Sequence, residues 1–274
     1  MRHWLRSLLY FFGKRPPDIP DALWRQTLTH YPFLAQRTVD EKRRLRNLAS
    51  RFLAHKEFTG AQGLVVTDEM AVAVAAQACL PLLYWGSKGL RLYDDFRGIV
   101  LHPGAMLARR EIRDAAGVVH YYSEALSGEA MQGGPVTLSW DDVASSGALA
   151  ALGHNVVIHE FVHKIDMRDG TANGCPPLPS RTAQAAWLAT MKPAYEKFKN
   201  QVAMAERFGG MGSTGESHDA ASPAPWLNAY GATAPAEFFA VTSEAYFVNR
   251  ARFEKDFADL TKLFDSFYLG KTHF

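Results

Sequence analysis

The chain has 274 residues, of which 47% are hydrophobic, so it can build a sizeable core in one large domain or two small ones. Thirty basic residues nearly balance 28 acidic ones, and no long basic run is present, so direct binding of nucleic acid is not expected. The two cysteines, Cys79 and Cys175, are too few for a disulfide framework or a thiolate zinc cluster, and they indicate a reducing cytoplasm.

Residues 1–20 are read as a separate N-terminal segment. Its apolar residues fall at the spacing of an amphipathic helix over residues 1–12: Trp4, Leu5, Leu8, Leu9 and Phe12. We expect this helix to pack on the rest of the chain, and contact with a membrane surface stays open as the alternative. No small-residue cleavage site follows, so a signal peptide is not predicted. No apolar run reaches the length of a transmembrane helix.

Residues 21–274 are predicted to form a single α+β domain, mainly helical, with a small sheet before the motif described below. The first predicted helices cover residues 40–55, opened by the capping residues Thr38 and Glu41, and residues 68–84, which include Pro81. The predicted strands are residues 98–101, 118–123 and 136–140. Later helices are predicted at residues 181–208, 235–249 and 252–268, and a mobile loop rich in Gly, Ser and Ala at residues 209–225.

His159, Glu160 and His163 form the pattern His-Glu-x-x-His. On a helix, residues i and i+4 lie one above the other with Cβ atoms about 5–6 Å apart. Both imidazoles can therefore reach one ion at about 2.0–2.1 Å. Glu160 is rotated by roughly 100° from His159, which suits a base better than a ligand. The pattern predicts a zinc-dependent hydrolase in which Glu160 accepts a proton from metal-bound water.

The residues around the motif bear on whether it is a chance match. A pattern this short does occur by chance, and the alternative is a core helix whose histidines are satisfied by hydrogen bonds. The neighbours are apolar: Val156, Val157, Ile158, Phe161 and Val162. They predict a buried helix, in which three ionisable groups are costly unless they are paired or bound to metal. The context therefore favours a metal site.

A third ligand is needed, because a catalytic zinc site usually has three protein ligands and leaves one position for water. Asp169 follows His163 by six residues, but the turn between them has Asp166 where a glycine is needed for a left-handed conformation. We interpret Asp166 and Asp169 as a polar helix end. Asp166 can also support a histidine ring through a hydrogen bond.

Glu237 is better placed as the third ligand. Pro235 fits the first position of a helix, so Glu237 lies in the first turn, on a face that is otherwise apolar. It either binds the metal or caps its own helix. Glu244, two turns later on the same face, is the second candidate.

Three stretches of the chain resemble the Mlc titration factor A family. They are residues 155–166 (NVVIHEFVHKID), residues 229–241 around AYGA and PAEFFAV, and residues 134–140 (GPVTLSW). The similarity extends over most of the chain, while residues 1–20 match least and residues 209–225 look like a local expansion. The resemblance implies a zincin-like metallopeptidase fold of the glutamate-ligand class, akin to the catalytic domain of anthrax lethal factor, with aminopeptidase-like activity.

Carried over to this chain, the resemblance implies that His159, His163 and Glu237 hold one Zn²⁺ and that Glu160 is the general base. Tyr230, seven residues before Glu237, would donate a hydrogen bond to the oxyanion; the alternative is a half-buried loop tyrosine. The strand Val136–Ser139 is considered as an edge strand for peptide substrate, with a purely structural strand as the alternative.

The resemblance implies a second kind of partner, a transcriptional repressor of the Mlc type that controls sugar phosphotransferase genes. A regulatory protein that sequesters such a repressor, with little or no peptidase activity, is therefore the alternative function.

Overall fold

The computed structural model describes residues 18–113, 119–209 and 225–270, most of which are helical. The α-helices are α1 (Asp21–His30), α2 (Pro32–Ala35), α3 (Val39–His55), α4 (Asp68–Ala78), α5 (Trp140–Leu149), α6 (Val156–Asp166), α7 (Arg181–Gly209), α8 (Pro235–Val248), α9 (Arg250–Asp256) and α10 (Ala258–Tyr268). Short 3₁₀ helices cover Leu80–Leu82, Gly86–Tyr93, Ala150–Leu152, Met167–Asp169 and Ala229–Ala232. Of the helices described, none is both long and apolar enough to cross a membrane.

The strands form a mixed four-stranded sheet and a separate hairpin. They are β1 (Glu57–Gly60), β2 (Gly98–His102), β3 (Met106–Arg113), β4 (Val119–Leu126), β5 (Gly128–Ala130) and β6 (Val136–Ser139). The sheet has the order β1-β2-β6-β5, in which β1, β2 and β6 run parallel and β5 is antiparallel to β6. The hairpin pairs β3 with β4. Helices combined with this mixed sheet make the fold α+β, as predicted.

Helix α6 lies in the core and packs against α8 and against strands β5 and β6. The side chain of Phe161 fixes its inner face, with ring centroids 5.6 Å from Phe52, 5.0 Å from Tyr93 and 5.9 Å from Phe96. Aromatic pairs at these separations add to the stabilisation from buried area. Because α6 and β5 are in direct contact, residues of the helix motif and of this edge strand share one site.

The start of α3 follows the predicted capping chemistry. The Thr38 hydroxyl accepts from the backbone N–H of Glu41 at 3.2 Å, and the Glu41 carboxylate accepts from the N–H of Thr38 at 2.8 Å. This reciprocal pair satisfies two donors that a helix start otherwise leaves without partners. In the same way the Asn155 side-chain oxygen accepts from the N–H of Ile158 at 2.9 Å, so α6 begins at a defined residue.

Two predicted helices have different limits in the structure. The helix predicted over residues 68–84 ends at Ala78 and continues as 3₁₀ helix through Pro81, which has no N–H to extend an α-helix. The helix predicted over residues 252–268 is two helices, α9 and α10, separated at Phe257, where the backbone leaves the helical region with φ −135°.

The sheet was predicted less well than the helices. The strand predicted at residues 118–123 is β4, which belongs to the hairpin and not to the main sheet, and its partner β3 was not predicted. Strands β1 and β5 were also missed. Strand β6 is not an edge strand, because it lies between β2 and β5. The predicted helix at residues 1–12, and residues 210–224 of the predicted loop, lie outside the described residues.

Candidate metal centre

Helices α6 and α8 bring His159, His163 and Glu237 together. Nε2 of His159 lies 3.1 Å from Oε2 of Glu237, and Nε2 of His163 lies 3.2 Å from the same oxygen. The two Nε2 atoms are 3.2 Å apart. The three side chains are largely buried, with 13%, 11% and 19% of their surfaces exposed. Three potential ligand atoms thus form a nearly equilateral triangle at the bottom of a cavity.

The dimensions of this triangle fit a small divalent cation. Tetrahedral ligands at 2.0–2.1 Å from an ion lie roughly 3.3–3.4 Å from one another, close to the separations found here. Two imidazole nitrogens and one carboxylate oxygen are also a donor set that catalytic zinc takes, with a fourth position left for water. The residues present therefore fit a metal ion.

The protonation of the triangle reflects its acidic surroundings. Burial disfavours the charged form of His159, but the carboxylates of Glu237 and Glu244 outweigh burial and raise the pKa of His159 well above its ordinary value. Burial alone would raise the pKa of Glu237, but hydrogen bonds and charge interactions with the two imidazoles hold it well below its ordinary value. Two carboxylates beside one imidazole thus favour a positive charge at this point.

Glu244, the second candidate for third ligand, has a different position. Its Oε1 is 2.7 Å from Nδ1 of His159, on the far side of the ring from Glu237, and its Oε2 accepts the backbone N–H of Asn155. The Asn155 amide donates to Oε1 of Gln77 at 2.7 Å, and Gln77 donates to the carbonyl of Ala73 at 3.1 Å. Glu244 therefore orients the ring of His159, an arrangement that commonly supports metal-binding histidines.

Glu160 lies beside the triangle and outside it. The residue is 5% exposed, and burial raises the pKa of its carboxyl above the ordinary value, an effect that Glu237 and Glu244 increase and the two imidazoles oppose. Its carboxyl packs on strand β5 at Gly128. A Cβ atom at Gly128 would lie 2.6 Å from Oε1 of Glu160, so a larger residue here would force the carboxyl or the strand to move. Sequence analysis did not single out Gly128, since its contact with Glu160 spans distant parts of the chain.

Tyr230 lines the same cavity from the 3₁₀ helix Ala229–Ala232. Its ring centroid is 6.2 Å from that of His159, and the residue is 39% exposed. The backbone N–H of Tyr230 donates to the side chain of Asn228 at 3.0 Å, and the Thr233 hydroxyl donates to its carbonyl at 2.7 Å. The backbone is held while the ring stands at the cavity wall.

Asp166 and Asp169 lie apart from the triangle. Asp169 is exposed, in the 3₁₀ helix after α6. Asp166 is buried and accepts backbone N–H bonds from residues 173, 174 and 175 at 2.8–3.1 Å. Burial nevertheless raises its pKa to about 6. The idea that Asp166 supports a histidine ring was wrong: the carboxylate holds the following loop, whose Gly174 lies against Pro235 at the start of α8.

The cavity in front of the triangle has a volume of about 520 Å³. Its wall is formed by strand β5, helix α5, the start of α6 and the segment that carries Tyr230. Glu129 of β5 and Asp142 of α5 add two carboxylates, and no lysine or arginine lines the cavity among the residues that the structure describes. The site is an open, acidic cleft with a potential metal centre at its base.

Comparison with known proteins identifies the family. The model of the glucose-regulated metallo-peptidase M90 family matches residues 3–269. Mlc titration factor A of Serratia proteamaculans is 36% identical over 248 residues, which cover 90% of this chain and 86% of that protein. The protein of the same name from Yersinia enterocolitica is 34% identical over 90% of this chain and 85% of its own length. That of Klebsiella pneumoniae is 36% identical over 89% and 84%.

The family match and the potential metal centre agree with each other. The matched region includes both ligand-bearing helices, and the residues that converge at the cavity are of the types that a metallopeptidase requires. The chain therefore belongs to the M90 family of glucose-regulated metallopeptidases and is a relative of Mlc titration factor A.

Proposed function

We propose that this protein is a zinc-dependent, aminopeptidase-like peptidase with a zincin-like fold, built as one domain over residues 21–274. The observation that carries the proposal is the convergence of His159, His163 and Glu237 within 3.1–3.2 Å, with Glu160 beside them. Two histidines and a carboxylate that leave a position open are typical of catalytic zinc. In this proposal one Zn²⁺ binds per chain.

Zinc, when bound, polarises the substrate carbonyl and makes the attacking water more acidic. Glu160 is the general base that accepts a proton from the water and returns it to the leaving amine. Burial of Glu160 supports both steps. It raises the pKa of the carboxyl, so the group accepts a proton more readily than an exposed glutamate and can still release it to the amine. The phenol of Tyr230 donates a hydrogen bond to the oxyanion that forms as the water attacks.

Strand β5 is the proposed binding edge for the peptide, in place of β6. The backbone N–H of Ser139 donates to the carbonyl of Ser127 at 2.8 Å, and the backbone N–H of Met131 donates to the carbonyl of Pro135 at 3.4 Å. The backbone groups of Ser127 and Met131 therefore face β6. Along a strand, the backbone N–H and C=O groups of successive residues point to opposite sides. Those of Gly128 and Ala130 therefore point to the open edge. An extended peptide can pair there. The carboxylates of Glu129 and Asp142 favour a positively charged amino terminus, which supports an aminopeptidase-like activity.

Replacement of Glu160 by Gln tests the proposal. The amide keeps the shape of the side chain but cannot accept the proton, so kcat on a peptide substrate falls by at least about a hundredfold, while bound metal is unchanged. Glu254→Gln, an exposed change on α9, is the matched control and keeps full activity. Hydrolysis by Glu160→Gln at the wild-type rate would show that the proposed mechanism is wrong.

The second candidate function is the binding of a repressor. The relatives are named for titration of Mlc, and we propose that this chain also binds a repressor of that type. The two functions are separable with the same variant. If Glu160→Gln binds the repressor but does not cleave peptides, the two functions depend on different groups of the protein. If the wild-type protein binds the repressor and cleaves no peptide, the regulatory function alone is favoured.

A further inference from the structure

Lys164 is a fully buried cation on the helix that carries the potential metal ligands. Its side chain is 0% exposed. Nζ donates to the carbonyl of Met131 at 2.9 Å and to that of Gly134 at 3.3 Å, and it pairs with Oδ2 of Asp95 at 2.7 Å. It also lies 4.5 Å from the centroid of the Phe96 ring. Every one of these partners lies outside α6, so the ammonium group joins the helix to other parts of the fold.

The two carbonyls belong to the turn between β5 and β6. The turn is closed by the N–H of Gly134, which donates to the carbonyl of Met131 at 3.0 Å. Lys164 follows Glu160 by four residues, so the two side chains lie one above the other on the same face of α6. Glu160 contacts Gly128 at the start of β5, and Lys164 contacts Met131 directly after its end. One face of the helix therefore holds both ends of the edge strand.

A buried ammonium group is a costly way to gain stability. Well-packed apolar residues often replace buried ion pairs without loss of stability, so burial of Lys164 is not explained by stability alone. Hydrogen bonds depend on direction, however. Because Nζ of Lys164 donates to two carbonyls of the β5–β6 turn, it fixes the position of that turn relative to α6. The apolar part of a methionine would fill the same space without fixing that position.

We propose that Lys164 is a positioning residue that sets the edge strand β5 relative to the general base Glu160. This inference rests on the proposed peptidase function and on pairing of the substrate with Gly128 and Ala130. Peptide bound along β5 then presents its scissile carbonyl at a fixed distance from Glu160. Loss of the two carbonyl contacts lets the strand shift and weakens the binding of extended peptides.

Lys56 provides a matched control, because it contacts the same Phe96 ring as Lys164. Lys56 donates to the carbonyls of Tyr93 and Phe96 at 2.5 and 2.6 Å, and its Nζ lies 3.7 Å from the centroid of the Phe96 ring. It makes none of the contacts with the β5–β6 turn that Lys164 makes. Lys56→Met removes a partly buried lysine from the same region, so it reports the general cost of such a change.

The experiment compares Lys164→Met with Lys56→Met in zinc-loaded full-length protein. KM is measured for an extended hexapeptide and for a single-residue anilide, and the dissociation constant of a non-cleavable hexapeptide analogue is measured by fluorescence. For Lys164→Met, we expect the hexapeptide KM and the analogue dissociation constant to rise about tenfold, the loss that one hydrogen bond represents. The anilide KM and the zinc content stay within about threefold, because neither depends on pairing along β5.

The inference is overturned if the hexapeptide KM of Lys164→Met equals that of the wild type. It is also overturned if the hexapeptide KM of Lys56→Met rises by the same factor as that of Lys164→Met. If Lys164→Met does not fold, Lys164→Arg is measured in its place. Arginine keeps the positive charge that pairs with Asp95, but its guanidinium group differs in length and shape and cannot make the same contacts with the turn carbonyls. A hexapeptide KM equal to that of the wild type then overturns the inference, and a selective rise supports it. Absence of hydrolysis in the wild-type protein rejects the proposed function instead, and the analogue binding still measures the effect of Lys164.

Discussion

The substitution Gly128→Ala tests the contact between the edge strand and the general base. A Cβ atom at this position would lie 2.6, 2.7 and 2.8 Å from Oε1, Cγ and Cδ of Glu160, where ordinary contacts begin at 3.4 Å. The carboxyl or the strand must therefore move by about 0.8 Å, and a misplacement near 1 Å can cost on the order of a hundredfold in rate. We expect kcat on a peptide substrate to fall by roughly tenfold to a hundredfold.

The assay measures kcat and metal content on the same samples. Metal content should not change, because Glu160 lies outside the ligand triangle. Gly98→Ala in β2 is the control, since its Cβ would meet Pro135 at 3.4 Å, an ordinary contact in the same sheet. A folded Gly128→Ala protein with the kcat of the wild type refutes the reasoning. Loss of metal together with activity would refute it as well, because it would place Glu160 among the ligands.

Two further predictions concern the metal itself. Glu244→Ala removes the acceptor for Nδ1 of His159, so metal affinity should fall by about tenfold to a hundredfold, measured by competition with a chromogenic chelator; equal affinities contradict this. Because Glu237 and Glu244 raise the pKa of His159 and so favour its protonated form without metal, while a metal ligand must be neutral, metal binding should release protons. Calorimetry in buffers of different ionisation enthalpy checks this, and a heat independent of the buffer contradicts it.

The metal-binding helix was predictable because its information is local. The spacing of His159 and His163 and the apolar neighbours lie within one short segment, and α6 is found where they predict it. Glu237 is different, since it lies 74 residues beyond His163. The position after Pro235 favoured Glu237 over Glu244 but left open whether Glu237 binds a metal or caps its own helix, and the resemblance to a family favoured the ligand. The geometry separates them, because they bind opposite nitrogens of His159.

The edge strand could not have been found in the same way. Strand β5 has three residues, begins with glycine and has no alternation of apolar and polar side chains long enough to detect. The apolar run of β6 suggested a strand correctly, but order along the chain does not give order within a sheet. The contacts of Gly128 and Lys164 depend on that order, so they emerge only from the folded structure.

Elemental analysis of the purified protein tests the central claim most directly. After loading with zinc and dialysis, the wild-type protein should retain about one zinc ion per chain, and Glu160→Gln should retain the same amount. His163→Ala and Glu237→Ala should each lose most of it. A wild-type protein without zinc, or a Glu237→Ala protein with the wild-type content, contradicts the assignment of the site.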